Sequence, residues 1–327
     1  MAAKTSGEFA LIERYLAPLA KDFAPALRLK DDAAVFAPPP GQDIVVTADA
    51  MVEGVHFFPD DPPDNVARKL LRVNLSDLAA MGAAPYAYFL TLALPASRGD
   101  HWMAGLSAGL AADQQTFGLS LAGGDTVATR GPAVLSLTAV GLVPAGRALR
   151  RDGARAGDGI YVSGSIGDAA LALEIRENRV PDPGPESRAW LAHRLALPDP
   201  RLALGQGLGG LATAAIDVSD GLLADTGHIC ENSGVGAVLR ARDVPLSAAA
   251  ALIVGNDPDR LALALSGGDD YELVFTAPPA RAPEVLALGS RAVGVTRIGE
   301  IVPGHGVALL DQAGNRMESP RRGYAHF

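Results

Sequence analysis

The sequence predicts an α/β fold in two domains, and three observations lead to this prediction. Short apolar runs typical of strands alternate with amphipathic stretches typical of helices along the 327 residues. That length favours about two domains. A segment rich in Gly, Arg and Asp between Pro144 and Gly159 marks a junction. We therefore expect an N-terminal domain of mixed sheet and helices over residues 1–146 and a C-terminal α/β domain over residues 147–327.

The N-terminal half contains three predicted helices and five predicted strands. Residues 8–22 carry apolar side chains at helical spacing, which predicts the first helix. Asp64 is a plausible N-cap for the second. The helices are predicted at 8–22, 64–81 and 102–117, and the strands at 33–36, 44–48, 87–94, 119–122 and 134–143.

The C-terminal half begins with a predicted strand at 159–163 that runs through a glycine turn into a helix at 169–177. Residues 178–188 contain three prolines and predict a polar excursion. Helices are predicted from residue 204 and at 222–232, strands at 214–218 and 236–239, and further apolar runs at 261–265, 272–276, 292–301 and 307–311 complete the pattern.

The composition excludes several classes of protein. A formal net charge of −9 argues against nucleic-acid binding, which usually depends on a basic surface. Cys230 is the only cysteine, so neither an intrachain disulfide nor a thiolate metal site can form. We expect no signal peptide, because the first residues contain no basic segment followed by an apolar stretch, and no apolar run reaches about 18 residues. We therefore expect a cytoplasmic enzyme that associates with neither nucleic acid nor membrane.

Ten carboxylates in short motifs carry the functional prediction. Most follow a strand-like run or a glycine turn, where their side chains can converge on one cleft. Carboxylates brought that close repel one another unless hard cations neutralise them, and Mg²⁺ prefers such oxygen ligands and commonly shares them with substrate phosphates. The ten are Asp31, Asp32, Asp49, Asp77, Asp125, Asp217, Asp220, Asp269, Asp270 and Glu272.

Three of the N-terminal motifs are ambiguous when each is considered alone. Only one of Asp31 and Asp32 can face a site, because neighbours on an extended chain point in opposite directions, and a solvated turn explains the pair as well. Thr47 and Asp49 share one face of a strand, although a simple strand end explains them equally. Asp77 lies among small apolar residues of a helix, where burial of a charge is costly unless it is paired or bound to a metal. The alternative is an aspartate on a solvent-exposed face of the helix.

The glycine-turn motifs allow two interpretations as well. Gly124 permits close backbone approach to a phosphate, but the same turn could be purely structural. Asp217 and Asp220 lie three residues apart at a strand-to-helix turn, where Ser219 or Asp220 could equally be an N-cap. The sequence Gly267–Glu272 packs three acids into four positions directly before a strand, and folding alone gives no reason for that density.

The familiar nucleotide-binding motifs are absent from the sequence. No glycine is followed by lysine, which excludes a P-loop, and the Gly-rich loop and His-Arg-Asp motif of protein kinases are missing. Phosphate binding must therefore depend on metal ions, glycine turns and arginine.

Taken in order, these motifs resemble the thiamine-monophosphate kinase family, within the ATP-binding superfamily that includes aminoimidazole ribonucleotide synthetase. The resemblance runs from Gly7 to Phe327. Its distinctive segments are KDDA at 30–33, EGVHF at 53–57, NLSDLAAMG at 74–82, GGDT at 123–126, IDVSDG at 216–221 and SGGDDYEL at 266–273.

The resemblance implies transfer of the ATP γ-phosphate to thiamine monophosphate, with several Mg²⁺ ions and a homodimer whose N-terminal domains join their sheets. It also implies site residues, with Ala48 acting through its backbone carbonyl. The implied metal ligands are Asp32, Thr47, Ala48, Asp49, Asp77, Asp125, Asp217 and Asp220; the implied ATP contacts are Gly124, Asp125, Arg151 and Ser219; the implied substrate contacts are His56, Asp269 and Tyr324.

The chemistry of the acceptor indicates a direct transfer without a general base. The acceptor is a phosphate monoester with a second pKa near 6, so it is already largely a nucleophilic dianion at neutral pH. Metal ions that bridge the two phosphates would offset their repulsion. Two alternatives remain: an aminoimidazole ribonucleotide synthetase-like cyclase, which also uses ATP to activate an oxygen, and a non-catalytic divalent-metal-binding protein.

Overall fold

The computed structural model describes residues 8–311 and 313–317, and it has the predicted α/β class. The chain divides into two compact units. The first unit takes in the chain up to Leu78 together with Ala84–Gly146, and the second takes in Ala79–Ala83 together with the chain from Arg147 onward. The short segment Ala79–Ala83 therefore groups with the second unit although it lies well before residue 147 in the sequence.

The first unit contains a four-stranded mixed sheet and three α-helices. The strands are β1 Gln42–Val52, β2 Ala84–Pro95, β3 Ser120–Thr129 and β4 Val134–Pro144, and the helices are α1 Glu8–Leu11, α2 Pro63–Ala80 and α3 Asp100–Phe117. The sheet order is β1-β4-β2-β3. β4 is antiparallel to both of its neighbours, whereas β2 and β3 are parallel.

The two faces of this sheet differ. On one face, alternate residues of β2 such as Leu90 and Leu92 are fully buried, and α2 contacts the same face, where the amide of Asp49 donates to Asn74 Oδ1 at 3.2 Å. On the other face the edge strands expose Val46 of β1 and Val127 of β3, which are 59% and 47% accessible. The unit thus has one buried sheet face and one that is largely open.

The N-terminal predictions were wrong in two places. Instead of one helix over 8–22, α1 gives way to a π-helical turn at Ile12–Leu16 and a 3₁₀ turn at Ala17–Ala20, because Pro18 cannot donate a helical hydrogen bond. Residues 33–36 form no strand; Phe36 there packs edge-to-face against Phe23 and Tyr86. In addition, α2 begins at Pro63, so the predicted N-cap Asp64 lies inside its first turn.

The second unit contains a six-stranded mixed sheet with helices α4 to α10. The strands are β5 Gly159–Ser163, β6 Ala214–Asp217, β7 Gly236–Arg240, β8 Leu273–Ala277, β9 Val295–Val302 and β10 Gly306–Leu310. Their order is β10-β7-β9-β5-β8-β6, in which only β10 and β7 are parallel. The helices are α4 Asp168–Arg176, α5 Pro185–Ala196, α6 Leu202–Gly207, α7 Leu222–Ser233, α8 Ala248–Val254, α9 Pro258–Ser266 and α10 Ala282–Ala292.

Four helices of this unit were not predicted. α5 begins inside the stretch interpreted as a polar excursion, since Pro185 occupies its first turn, where proline is well tolerated. The apolar run at 261–265 belongs to α9, and α8 and α10 had no predicted counterpart. Within the described residues, no helix combines the length and the apolar composition that crossing a membrane requires.

Candidate active site

A cluster in the first unit joins Thr47, Asp49 and Asp77. Strand β1 points Thr47 and Asp49 to the face that α2 contacts, and α2 supplies Asp77. The Thr47 hydroxyl donates to Asp77 Oδ2 at 2.5 Å, and the side chains of Asp49 and Asp77 share a hydrogen bond. Three of the predicted metal ligands therefore lie together, and all three offer oxygen atoms.

The Asp49 carboxyl retains a proton more strongly than an ordinary aspartate. Its burial, followed by the neighbouring Asp77 carboxylate, raises the pKa of Asp49 to about 6. Two carboxyl groups that share a hydrogen bond cannot both ionise without cost. A divalent cation between them would offset that cost, as is typical of oxygen-ligand metal sites.

The motif at 123–126 is not the predicted turn at the end of a strand, because β3 continues through it to Thr129. Gly124 and Asp125 therefore lie within this edge strand, away from the cluster. The nearest atom to a Cβ added at Gly124 would be the Leu90 carbonyl oxygen at 1.8 Å, so only glycine fits there. Asp125 is exposed, and its carboxylate accepts the Thr126 amide at 2.8 Å. The cross-strand register places Asp125 opposite Thr91.

Two other predicted ligands in the first unit stand apart from Thr47, Asp49 and Asp77. Asp32 is exposed in a turn, where its amide donates to the Asp31 carboxylate at 3.0 Å. Ala48 is exposed and occupies the opposite face of β1 from its two neighbours, so its side chain contributes nothing to the cluster.

His56 lies in the turn that follows β1, and the backbone fixes its tautomer. The amide of Val52 donates to His56 Nδ1 at 3.1 Å. That nitrogen must therefore be unprotonated, which places the ring hydrogen of the neutral imidazole on Nε2. In this state His56 acts as a hydrogen-bond donor through Nε2.

The second unit holds Asp217 and Asp220 at the turn between β6 and α7. Asp217 ends β6 and is buried, with 3% of its surface accessible, whereas Asp220 is partly exposed. The carboxylate of Asp225 accepts the amides of Asp220 and Gly221 at 3.0 and 3.1 Å. Asp225 thus fixes the turn that presents Asp220.

Two residues that the sequence interpretation missed complete a possible cation site here. Ligand atoms of Asp220, Asp225 and His228 all lie within 4.8 Å of one another. Burial, and then the nearby Asp220 carboxylate, raise the pKa of Asp225 to about 7. The available signal was the three-residue spacing of Asp225 and His228, which places both on one face of α7.

The acidic segment Gly267–Glu272 runs alongside the Asp217–Asp220 turn. The Asp269 amide donates to the Ser219 carbonyl and the Tyr271 amide to the Val218 carbonyl, both at 2.9 Å. Gly268 is required because a Cβ there would lie 2.0 Å from the Ser219 carbonyl oxygen. The two predicted motifs of the second unit are therefore bonded to each other through their backbones.

Asp269 and Tyr271 both adopt left-handed backbone conformations. Their φ angles are +74° and +52°. Such positions cost about 1–3 kcal/mol each and persist only where the surroundings impose them, which often happens at binding sites. Asp269 and Tyr271 remain partly exposed, whereas Asp270 between them is buried.

The remaining predicted contacts are placed as follows. Ser219 is partly exposed and receives the Asp269 amide through its carbonyl. Arg151 is exposed, and its carbonyl accepts the Ser233 hydroxyl at 3.0 Å. Tyr324 lies outside the described residues.

Two family models match the chain in sequence order. The N-terminal domain of AIR synthase related protein matches residues 30–143, and the C-terminal domain of the same family matches residues 155–312. Together these matches cover most of both units.

Individual relatives are similar over nearly the whole chain. A thiamine-monophosphate kinase of Caulobacter vibrioides is 43% identical over 99% of this chain and 92% of its own length. The crystal structure of thiamine-monophosphate kinase from Stenotrophomonas maltophilia is 42% identical, with a TM-score of 0.83 over 93% of this chain and 97% of that one. A solved complex of AaThiL with AMPPCP and TMP is 29% identical, with a TM-score of 0.78 over 98% and 97% of the two chains.

Proposed function

Because the chain belongs to the AIR synthase-related family and, within it, to the thiamine-monophosphate kinases, we propose that it transfers the γ-phosphate of ATP directly to thiamine monophosphate, giving thiamine diphosphate and ADP. The observation that carries the proposal is the Thr47–Asp49–Asp77 cluster, in which two carboxyl groups share a hydrogen bond. Neighbouring carboxylates that repel each other can bind a divalent cation, and phosphoryl transfer from ATP uses divalent cations bound to the substrate phosphates.

The proposed transfer needs no general base from the protein. The acceptor phosphate of thiamine monophosphate is mostly a dianion at neutral pH and can attack without losing a proton to a side chain. The task left to the protein is to hold two anions in line and close together. This explains why the candidate residues are acids and glycine turns rather than a nucleophile paired with a base.

The acids of each unit fit magnesium ions. In the first unit Thr47, Asp49 and Asp77 present hard oxygen donors that already exchange hydrogen bonds. The family resemblance adds Asp32 and the Ala48 carbonyl, which stand apart from these three. In the second unit Asp217 and Asp220 are the proposed Mg²⁺ ligands. When bound, Mg²⁺ would neutralise phosphate oxygens of both substrates and the charge that builds up during transfer.

The other assignments follow the chemistry of each group. Gly124, Asp125, Arg151 and Ser219 are assigned to ATP, with Arg151 as a bidentate phosphate donor. His56 is assigned to the phosphate of thiamine monophosphate, since its Nε2 hydrogen suits an anionic acceptor. Asp269 and Tyr324 complete the proposed substrate contacts. ATP and its magnesium are abundant in the cytoplasm, where we place the enzyme.

We also propose a homodimer whose first units join their sheets. Asp49 faces Leu137, Leu137 faces Leu90, and Leu90 faces Gly124, so β1 and β3 lie three strand spacings apart, roughly 14 Å. Within one chain Asp125 is therefore too far away to bind the same ion as Asp49. A second copy joined through these edge strands would cover their exposed edges and could supply its own Asp125.

Mixing two inactive variants tests this arrangement. If Asp49 and the partner's copy of Asp125 serve one site, Asp49→Asn mixed with Asp125→Asn regenerates one intact site per heterodimer, and about a quarter of wild-type activity returns after subunit exchange. If both residues serve a site within one chain, the mixture stays inactive. Light scattering on the same samples measures the mass of the assembly.

The function itself is tested by assaying the purified protein with ATP and thiamine monophosphate, with and without Mg²⁺. Thiamine diphosphate and ADP should appear in equal amounts only when Mg²⁺ is present. Absence of thiamine diphosphate under these conditions would contradict the proposal. A cyclase would instead release ADP with an aminoimidazole precursor, and a non-catalytic metal-binding protein would release none.

A further inference from the structure

The segment Gly267–Glu272 presents its three acids in different directions. Asp269 is partly exposed, whereas Asp270 and Glu272 are buried, with 1% and 0% of their surfaces accessible. The left-handed conformations of Asp269 and Tyr271 lie on either side of Asp270. The alternation places one acid at the surface and two acids in the interior of the second unit.

Asp270 attaches the segment to the start of α4. Its carboxyl oxygens accept the amides of Gly167 at 2.7 Å and Ala169 at 3.3 Å, and its backbone carbonyl accepts Arg194 Nη2 at 3.2 Å. α4 is nine residues long, and its first amides have no partner within the helix itself. Asp270 therefore serves as a cap supplied from another part of the chain.

Glu272 attaches the same segment to two arginines and a serine. Arg201 binds its carboxylate in a fork, with Nε 2.6 Å from Oε2 and Nη2 2.5 Å from Oε1. Arg194 Nη2 donates to Oε1 at 2.8 Å and the Ser163 hydroxyl to Oε2 at 2.6 Å. The Ser163 hydroxyl oxygen in turn accepts the amide of Leu273, the first residue of β8. A fork of this kind fixes direction as well as distance.

We propose that Glu272, held by Arg201 and Arg194, is a positioning residue that holds Asp269 against the thiamine monophosphate site. This inference rests on the proposed function, which assigns Asp269 to that substrate. Three backbone bonds connect the segment to Val218 and Ser219: the amides of Asp269 and Tyr271 donate at 2.9 Å, and Val218 donates to the Glu272 carbonyl at 2.8 Å. These bonds hold the end of the segment that lies beside Val218 and Ser219. The buried Glu272 fork fixes the other end.

The test is Glu272→Gln, which preserves the shape of the side chain and an acceptor for Ser163 but removes the charge that binds the two arginines. The KM for thiamine monophosphate should rise roughly 10- to 100-fold, as expected for a misplaced contact, while the KM for ATP changes less than about twofold. The same substitution added to Asp269→Asn should raise the KM for thiamine monophosphate less than about twofold further, since both changes affect one contact.

Asp113→Asn is the matched control. Asp113 is equally buried and is also held by two arginines, with Arg68 Nε at 3.1 Å and Arg72 Nε at 2.6 Å, but it lies in the first unit. It should lower the melting temperature without changing the KM for thiamine monophosphate. Hydrogen exchange at the amides of Asp269 and Tyr271 should accelerate in Glu272→Gln and remain unchanged in Asp113→Asn.

A folded Glu272→Gln enzyme with a lowered melting temperature but an unchanged KM for thiamine monophosphate would overturn the inference and leave Glu272 a purely structural residue. If Glu272→Gln does not fold, Arg201→Lys, which keeps the charge but loses the fork, is measured in the same way. If the wild-type enzyme does not phosphorylate thiamine monophosphate, the proposed function fails. The exchange measurement still decides whether Glu272 holds the segment.

Discussion

Two groups of buried acids in this protein have opposite surroundings. In the first unit Asp49 and Asp77 share a hydrogen bond with each other, and burial and this neighbour both raise the pKa of Asp49. In the second unit Glu272 lies between two arginines, and Asp270 accepts two backbone amides. Acids left in mutual repulsion are available to a ligand, whereas acids that already have donors maintain the fold. This difference distinguishes acids that are candidate cation ligands from acids that stabilise the fold.

The largest expected effect comes from removing the repelling acids. Asp49→Asn and Asp77→Asn should each lower kcat/KM by about a thousandfold or more, since a cation ligand is lost, while stability without Mg²⁺ stays equal or rises because a buried repulsion is relieved. Steady-state kinetics and thermal unfolding of the same samples measure the two effects. Asp22→Asn, at an exposed acid of the first unit, is the control.

Glu272→Gln, in contrast, should lower the free energy of unfolding. Removing one partner of a buried ion pair costs about 3–5 kcal/mol, because the other charge is left without compensation. Denaturant unfolding measures the difference. A loss of stability in Asp49→Asn as large as that in Glu272→Gln would show that these two groups of acids do not differ in this respect.

The pH dependence of magnesium binding sharpens the comparison further. The raised pKa of Asp49 means that its folded-state contribution to stability is present at low pH and is lost as pH rises through about 6. Mg²⁺ must displace the same proton, so its affinity should fall by up to about tenfold per pH unit below about pH 6. Calorimetric titration at about pH 5, about pH 6 and about pH 7 measures the Mg²⁺ affinity on both sides of the pKa. Asp49→Asn should lose the dependence.

The smallest expected effect is that of Thr47→Val. The substitution keeps the shape and removes the hydroxyl that donates to Asp77 at 2.5 Å. Affinity for Mg²⁺ should fall by about tenfold, because the substitution removes one uncharged oxygen donor and its hydrogen bond to Asp77 but leaves both carboxylates. Thr91→Val, at an exposed position of β2, should leave the affinity unchanged.

The sequence was most informative where local pattern and tertiary structure agree. Strand β5 occupies 159–163 as predicted, because each of its residues is apolar or small and all five are buried. α5 was missed because the prolines before it and the charges within it resemble a loop, although Pro185 begins the helix. The strand predicted at 33–36 failed because Phe36 packs against other aromatic rings instead of pairing in a sheet.

The candidate site was predictable in type but not in arrangement. Thr47 and Asp49 could be placed on one face from their spacing, and the structure adds Asp77 to them. Whether Asp269 or Asp270 faces outward could not be read from adjacent identical letters, since it depends on positive φ angles on both sides of Asp270. His228 joins Asp220 only because the turn before α7 folds back on the helix.

The hydrogen bond from the Val52 amide to His56 limits which substitutions position 52 can tolerate during evolution. Because a main-chain group determines which ring nitrogen carries the hydrogen, any residue may occupy position 52 except proline, which has no amide hydrogen. Neighbouring side chains can therefore be substituted while the Nε2 hydrogen of His56 keeps its direction. The tautomer of His56 therefore depends on the course of the backbone rather than on the identity of the surrounding side chains.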